Sequence, residues 1–189
     1  MRENHFQKQF DESIRLIEED KKAIKRKFPD VIDIQKTEKT DDLNGVDYKI
    51  LLRNGDEQGI DVKRREPGAS YYWQNYDNPD LPLEIWSVKE TKKIGWTLGD
   101  GQADYILFLY EMNDSPCEIL LPFKLLKMAF YHNGREWARK YGIKKQYSRD
   151  EHGNRWTSEA VFVPAAEIKK TITELLFTWV GASEPAIMI

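Results

Sequence analysis

The sequence predicts an α/β (α+β) fold, a mixed central β-sheet flanked by helices, with a C-terminal hairpin and helix. Three observations predict it. Apolar residues recur at helical spacing near the N-terminus, a period-2 pattern is broken by an Asn-Gly turn, and Asp104–Tyr110 is almost continuously apolar. The order is helix, several strands, then helices mixed with a hairpin, and such mixing marks sheet-and-helix layers. With 189 residues, 40% hydrophobic and 32% charged, one domain spanning residues 1–189 is expected.

Phe6, Phe10, Ile14, Ile17, Ile24 and Phe28 fall at steps of three, four and seven, one face of an amphipathic helix that Pro29 ends. After a turn at residues 41–45, Val46–Leu52 reads as a strand. Asn54-Gly55-Asp56 turns it back into Gly59–Lys63, completing a hairpin. An irregular aromatic segment with Tyr71, Tyr72, Trp73 and Tyr76 precedes a strand at Leu83–Val88. A loop punctuated by Gly95, Gly99 and Gly101 leads to Asp104–Tyr110, whose apolar run suits a strand buried on both faces. Glu118–Leu121 adds a further strand. Pro122 opens a helix over Phe123–Tyr131, and Arg135–Tyr141 reads as a separate short helix. Gln146–Arg149 and Ser158–Val163 flank the turn His152-Gly153-Asn154. Pro164 opens a last helix carrying Ile168, Ile172, Leu175, Leu176 and Trp179.

Composition narrows the function classes. Cys117 is the only cysteine, which excludes an intrachain disulfide or a cysteine-rich zinc site. The polar opening Met1-Arg2-Glu3-Asn4-His5 lacks the apolar stretch of a secretory signal. No apolar run reaches the roughly 18–20 residues of a membrane span, and mean hydropathy is -0.69. A cytoplasmic protein without membrane attachment is the expectation. Net charge is -3 and the pI about 5.7, which counts against a protein that merely coats nucleic acid. His5, His132 and His152 lack zinc-helix spacing. Neither a phosphate-binding glycine loop with its lysine nor a nucleophile elbow is present.

The residues that carry chemistry are Asp47 and the triplet Asp61-Val62-Lys63. Residues two apart in a strand share a face, so Asp61 and Lys63 point together while Val62 turns to the core. On the preceding strand Asp47 projects away from Val46, Tyr48, Ile50 and Leu52. Pairing the strands brings both carboxylates together with the lysine beside them. Two carboxylates, a backbone carbonyl (that of Val62) and water make an all-oxygen site for Mg2+, with Mn2+ as an acceptable substitute.

The arrangement Gly45-Val46-Asp47-Tyr48, a turn, then Gly59-Ile60-Asp61-Val62-Lys63-Arg64 resembles the D…(D/E)xK signature of the PD-(D/E)XK nuclease superfamily. The resemblance covers roughly residues 6–130 and leaves about 131–180 as a C-terminal elaboration. It differs in having Val46 where a proline commonly precedes the first acid, and Asp61 where Glu is commoner. It implies a restriction-endonuclease-like fold and a Mg2+-dependent deoxyribonuclease, an endonuclease, with DNA as substrate. By the family pattern Asp47 is the first metal ligand, Asp61 the second and Lys63 the catalytic lysine. The alternative is a nuclease-fold protein without activity that binds nucleic acid or a protein partner. Many enzymes of the class dimerise to cut two strands, which leaves a homodimer open.

Glu84, Gln102 and Glu18 are additional site candidates, each weighed against an ordinary role as a strand-end acid, a loop residue or a solvated helix edge. Arg64 and Arg65 after the triplet, and Lys92 and Lys93 before Gly95, are candidates for holding phosphates. The Tyr71–Tyr76 cluster is a candidate for base stacking or for packing a lid.

Overall fold

The computed structural model describes residues 2–38, 45–65, 79–110, 117–150 and 153–181, the side chains of residues 2–11 and 179–181 excepted. In chain order the elements are α1 (Arg2–Lys27), β1 (Val31–Lys36), β2 (Tyr48–Leu52), β3 (Glu57–Arg65), β4 (Asp80–Val88), β5 (Lys93–Ile94), β6 (Tyr105–Tyr110), β7 (Cys117–Pro122), α2 (Phe123–Tyr141), β8 (Ile143–Arg149), β9 (Arg155–Pro164) and α3 (Ala165–Gly181). The aromatic segment Tyr71–Tyr76 and His152 lie outside the described residues. The fold is mixed α/β, as expected. It divides into two compact units, each assembled from two stretches of chain: residues 1–67 with 101–121, and 68–100 with 122–189.

The first unit is a five-stranded mixed sheet in the order β1-β2-β3-β6-β7. β2 and β3 form the expected antiparallel hairpin, with Tyr48 opposite Ile60. Its turn is built by the predicted residues. Gly55 takes a φ of +91°, a region open to glycine at little cost. The Asp56 N–H donates to the Asn54 side-chain oxygen at 3.1 Å, an Asx turn. β3 and β6 run parallel, from Ile60 beside Tyr105 to Arg65 beside Tyr110, so the chain between them crosses over instead of turning back.

Helix α1 supplies Ala23 and Ile24 to a core shared with Tyr48, Ile50, Ile60, Leu107 and Leu109, and Phe28 and Val62 pack against it. Each fully buried aliphatic side chain contributes about 1.5–3 kcal/mol. The apolar stripe of α1 is narrower than its sequence suggests, since Ile14 is exposed and Ile17 half-buried. At the C-terminal end of α1, the Arg26 Nε donates to Glu118 of β7 at 3.0 Å.

The second unit pairs β5-β4-β9-β8 in a four-stranded sheet, antiparallel throughout. α2 packs against α3 and β9. Residues 123–131 and 135–141, expected as two helices, form one. Asn133-Gly134 looks like a break, yet Gly134 is buried in mid-helix with the Phe130 ring against it, 3.3 Å from where a Cβ would stand. β1 and β5 were not expected. Among the described residues no helix is long and apolar enough to cross a membrane.

Candidate metal centre

The hairpin brings Asp47, Asp61 and Lys63 together. Asp47 stands immediately before β2, and its backbone N–H donates to the Ile60 carbonyl at 2.9 Å, fixing it across from Asp61. Its carboxylate Oδ2 accepts the Val62 N–H at 2.7 Å. Lys63 Nζ lies 2.7 Å from Asp61 Oδ1. Alternation puts Tyr48, Ile60 and Val62 on the core face of the sheet, while Asp61 and Lys63 share the opposite face with their β6 neighbours Ile106 and Phe108.

That face is dry. Ile106 and Phe108 are fully buried, and Asp61 itself is only 4% exposed. Burial pushes the Asp61 carboxyl up from the usual 3.8 to about 6, because desolvation penalises the ionised form. Lys63 opposes this by its charge and hydrogen bond, and the Asp47 carboxylate reinforces it. Asp47 and Asp61 interact, so two carboxylates stand beside Lys63, and bringing both to the ionised form sets like charges together.

The donor set fits a hard divalent cation. β2–β3 pairing ends at Tyr48 opposite Ile60. The Val62 carbonyl points to the β2 side, as its N–H does, but past the last paired residue. Asp47, Asp61 and this carbonyl are all oxygen donors. Mg2+ commonly takes one or two carboxylates and completes its shell with water and phosphate. Among the described residues no cluster of three or more His, Cys, Asp or Glu side chains comes together, so two carboxylates and the backbone carbonyl are the donors to weigh.

Behind the pair lies a network that sequence reasoning missed. Asp20 of α1, 7% exposed, accepts the Tyr48 hydroxyl at 2.7 Å. It also accepts Arg64 Nε at 3.0 Å and the Arg64 terminal nitrogen at 2.7 Å. Arg64 donates further to the Leu16 carbonyl at 3.1 Å and pairs with Glu19 at 3.3 Å. Glu18, the helix acid singled out from the sequence, is exposed. Asp20 was findable, for it stands three residues after Ile17 and four before Ile24, an acid within the apolar stripe.

The other candidates are dispersed. Gln102 is exposed just before β6, and Arg65 is half-buried at the end of β3. Asp104, beside Gln102, instead accepts the Gly59 N–H at 2.8 Å. Glu84, Lys92 and Lys93 belong to the second unit. Glu84 accepts the Trp96 N–H at 3.2 Å, while Lys92 and Lys93 are exposed. That unit also holds a cleft of about 600 Å³ whose lining includes Asn133, Glu136, Tyr141, Glu167 and Thr171. None of the site candidates lines it. No family model, curated protein or solved structure matches this chain.

Proposed function

We propose that this chain is a Mg2+-dependent nuclease that hydrolyses phosphodiester bonds in DNA, with Asp47, Asp61 and Lys63 as its reacting centre. The observation that carries the reading is the pairing of two carboxylates with one lysine at the open end of a hairpin, on a dry sheet face. The order of helix, antiparallel hairpin and parallel neighbouring strand also supports the resemblance to PD-(D/E)XK nucleases, and with it a restriction-endonuclease-like core.

A bound Mg2+ would supply Lewis acidity and a more acidic water at this position. Asp47 and Asp61, with the Val62 carbonyl, provide the oxygen donors. Asp47 is held in place by the Val62 N–H, and its carboxylate would serve as a ligand to the cation. Lys63, anchored beside Asp61, orients the attacking water and offsets charge growing on the phosphate. Water forms the new P–O bond, the ester P–O bond breaks, and the proton ends on the departing oxygen. The products are a phosphate monoester and a hydroxyl end. Burial of Asp61 strengthens the electrostatic contacts made to it.

The test is cleavage of plasmid, linear duplex, single-stranded and branched DNA, and RNA, with Mg2+, Mn2+ or EDTA. Cutting that requires metal and disappears in a folded Lys63→Ala protein is the expected result. No cutting of any substrate by the wild type would overturn it in favour of a binding protein.

A further inference from the structure

The residue after Asp47 is Tyr48, and the residue after Lys63 is Arg64. Both reach through to the opposite face of the sheet, and both end on the same carboxylate. Tyr48 donates its hydroxyl to Asp20 Oδ2 at 2.7 Å. Arg64 donates to Asp20 Oδ1 at 3.0 and 2.7 Å. Tyr48 is fully buried and Asp20 nearly so, so water cannot readily take over these contacts. A buried carboxylate left without donors is costly, and the network therefore has a strong preference for its satisfied geometry. The carboxylate spans the two strands that carry the site, one oxygen for each.

We infer that Asp20, through Tyr48 and Arg64, is a positioning residue that fixes the separation of Asp47 from Asp61 and Lys63. The inference rests on the metal-centre reading above. β2–β3 ladder bonds stop at Tyr48 opposite Ile60, one residue short of the acids. Beyond that point two contacts tie the strands on the reacting side, the Asp47 N–H to the Ile60 carbonyl at 2.9 Å and the Val62 N–H to the Asp47 carboxylate at 2.7 Å. Asp20 supplies the matching tie from behind. Loss of either half leaves the Asp47 backbone held by Ile60 and by the Thr37 N–H at 2.9 Å, so the expected change is a small shift of the carboxylates, and a small divalent cation tolerates even that poorly.

The experiment is Mn2+ titration followed by electron paramagnetic resonance on wild type, Tyr48→Phe and Asp20→Asn, beside steady-state cleavage of duplex DNA. Tyr48→Phe removes one oxygen and keeps the ring in the core. It should weaken Mn2+ binding about tenfold, the lower end of what supporting residues contribute at metal sites. kcat should fall by a similar factor with KM for DNA unchanged. Asp20→Asn keeps the shape and an acceptor but loses the charge that grips Arg64, and should act in the same direction. Ile50→Val, a core truncation in the same strand, is the control: it lowers Tm without moving Mn2+ affinity. If folded Tyr48→Phe and Asp20→Asn bind Mn2+ and cut as wild type does, Asp20 is a stability tie alone and the inference fails. If wild type itself binds no Mn2+, the metal-centre reading falls and takes this inference with it.

Discussion

Two buried carboxylates among the described residues, Asp61 and Glu159, each lie against a lysine, and the contrast between them sets the proposed centre beside a structural pair. In the second unit, Glu159 of β9 is 6% exposed and pairs with Lys89, which follows β4. The Lys89 N–H also donates to the Thr157 carbonyl at 2.9 Å, so backbone and side chain lock together. In the first unit, Asp61 is buried to the same degree and meets Lys63 at 2.7 Å, but Asp47 is beside it. A second carboxylate thus stands beside the pair, with Asp61 buried and Asp47 half-buried. The lesson is that burial and ion pairing alone mark nothing, whereas a second carboxylate beside a buried pair is what the proposed centre rests on.

The largest effect that would break this contrast is on cleavage. Asp61→Ala and Lys63→Ala should each lower kcat by about 10³-fold, a typical loss for an electrostatic or acid–base partner. Glu159→Gln should leave cleavage at the wild-type rate, and a comparable loss there would erase the distinction.

Stability should move the opposite way. The folded state holds a proton on Asp61 up to about pH 6, whereas the unfolded chain releases it near 3.8. Stability without metal therefore falls as pH rises through that window and stays lower above it. At about 1.4 kcal/mol per pH unit, the gap is worth roughly 3 kcal/mol. Asp61→Asn, which mimics the protonated form, should raise the metal-free Tm at pH 8 while abolishing cleavage. An unchanged or lower Tm, in a variant that still folds, would show that Asp61 sits there without strain. Mg2+ should raise the wild-type Tm at pH 8 and do so progressively less below pH 6, since the cation competes with that proton.

Glu159→Gln should cost about 1 kcal/mol, read from urea midpoints, because a half-exposed lysine recovers solvation when its partner goes. An effect of similar size is expected at the hairpin turn. Gly55→Ala places a Cβ at a φ of +91° and should lower stability by about 1 kcal/mol without changing Mn2+ affinity.

The hairpin and its acids were legible because the signals agree: alternation, an Asn-Gly turn, and chemistry-bearing residues all on one parity. β1 was not, since only Val31 and Ile34 are half-buried and the other four residues are exposed. An edge strand that buries so little leaves no alternation to read. α2 was split because Asn133-Gly134 is punctuation in most contexts, and only the Phe130 ring packed on Gly134 explains its place inside a helix. Choosing Glu18 over Asp20 followed from treating Ile14 as buried. With Ile14 exposed, the stripe shifts round the helix and turns Asp20 inward. The register of β3 with β6 was illegible for a different reason, being set by residues far apart in the chain.

That register has a consequence for how the molecule is made. Ile60 finds Tyr105 only after β4 and β5 have been synthesised, and Leu83 of β4 must then wait for Val161. Neither sheet is complete until a later stretch of chain arrives. Contacts this distant in sequence slow folding and leave the β3 edge bare on an emerging polypeptide, where it can pair with a neighbouring chain. The same interleaving means that no single cut separates one unit cleanly from the other. A fragment ending at Pro67 would carry Asp47, Asp61 and Lys63 yet lack the strand that buries them.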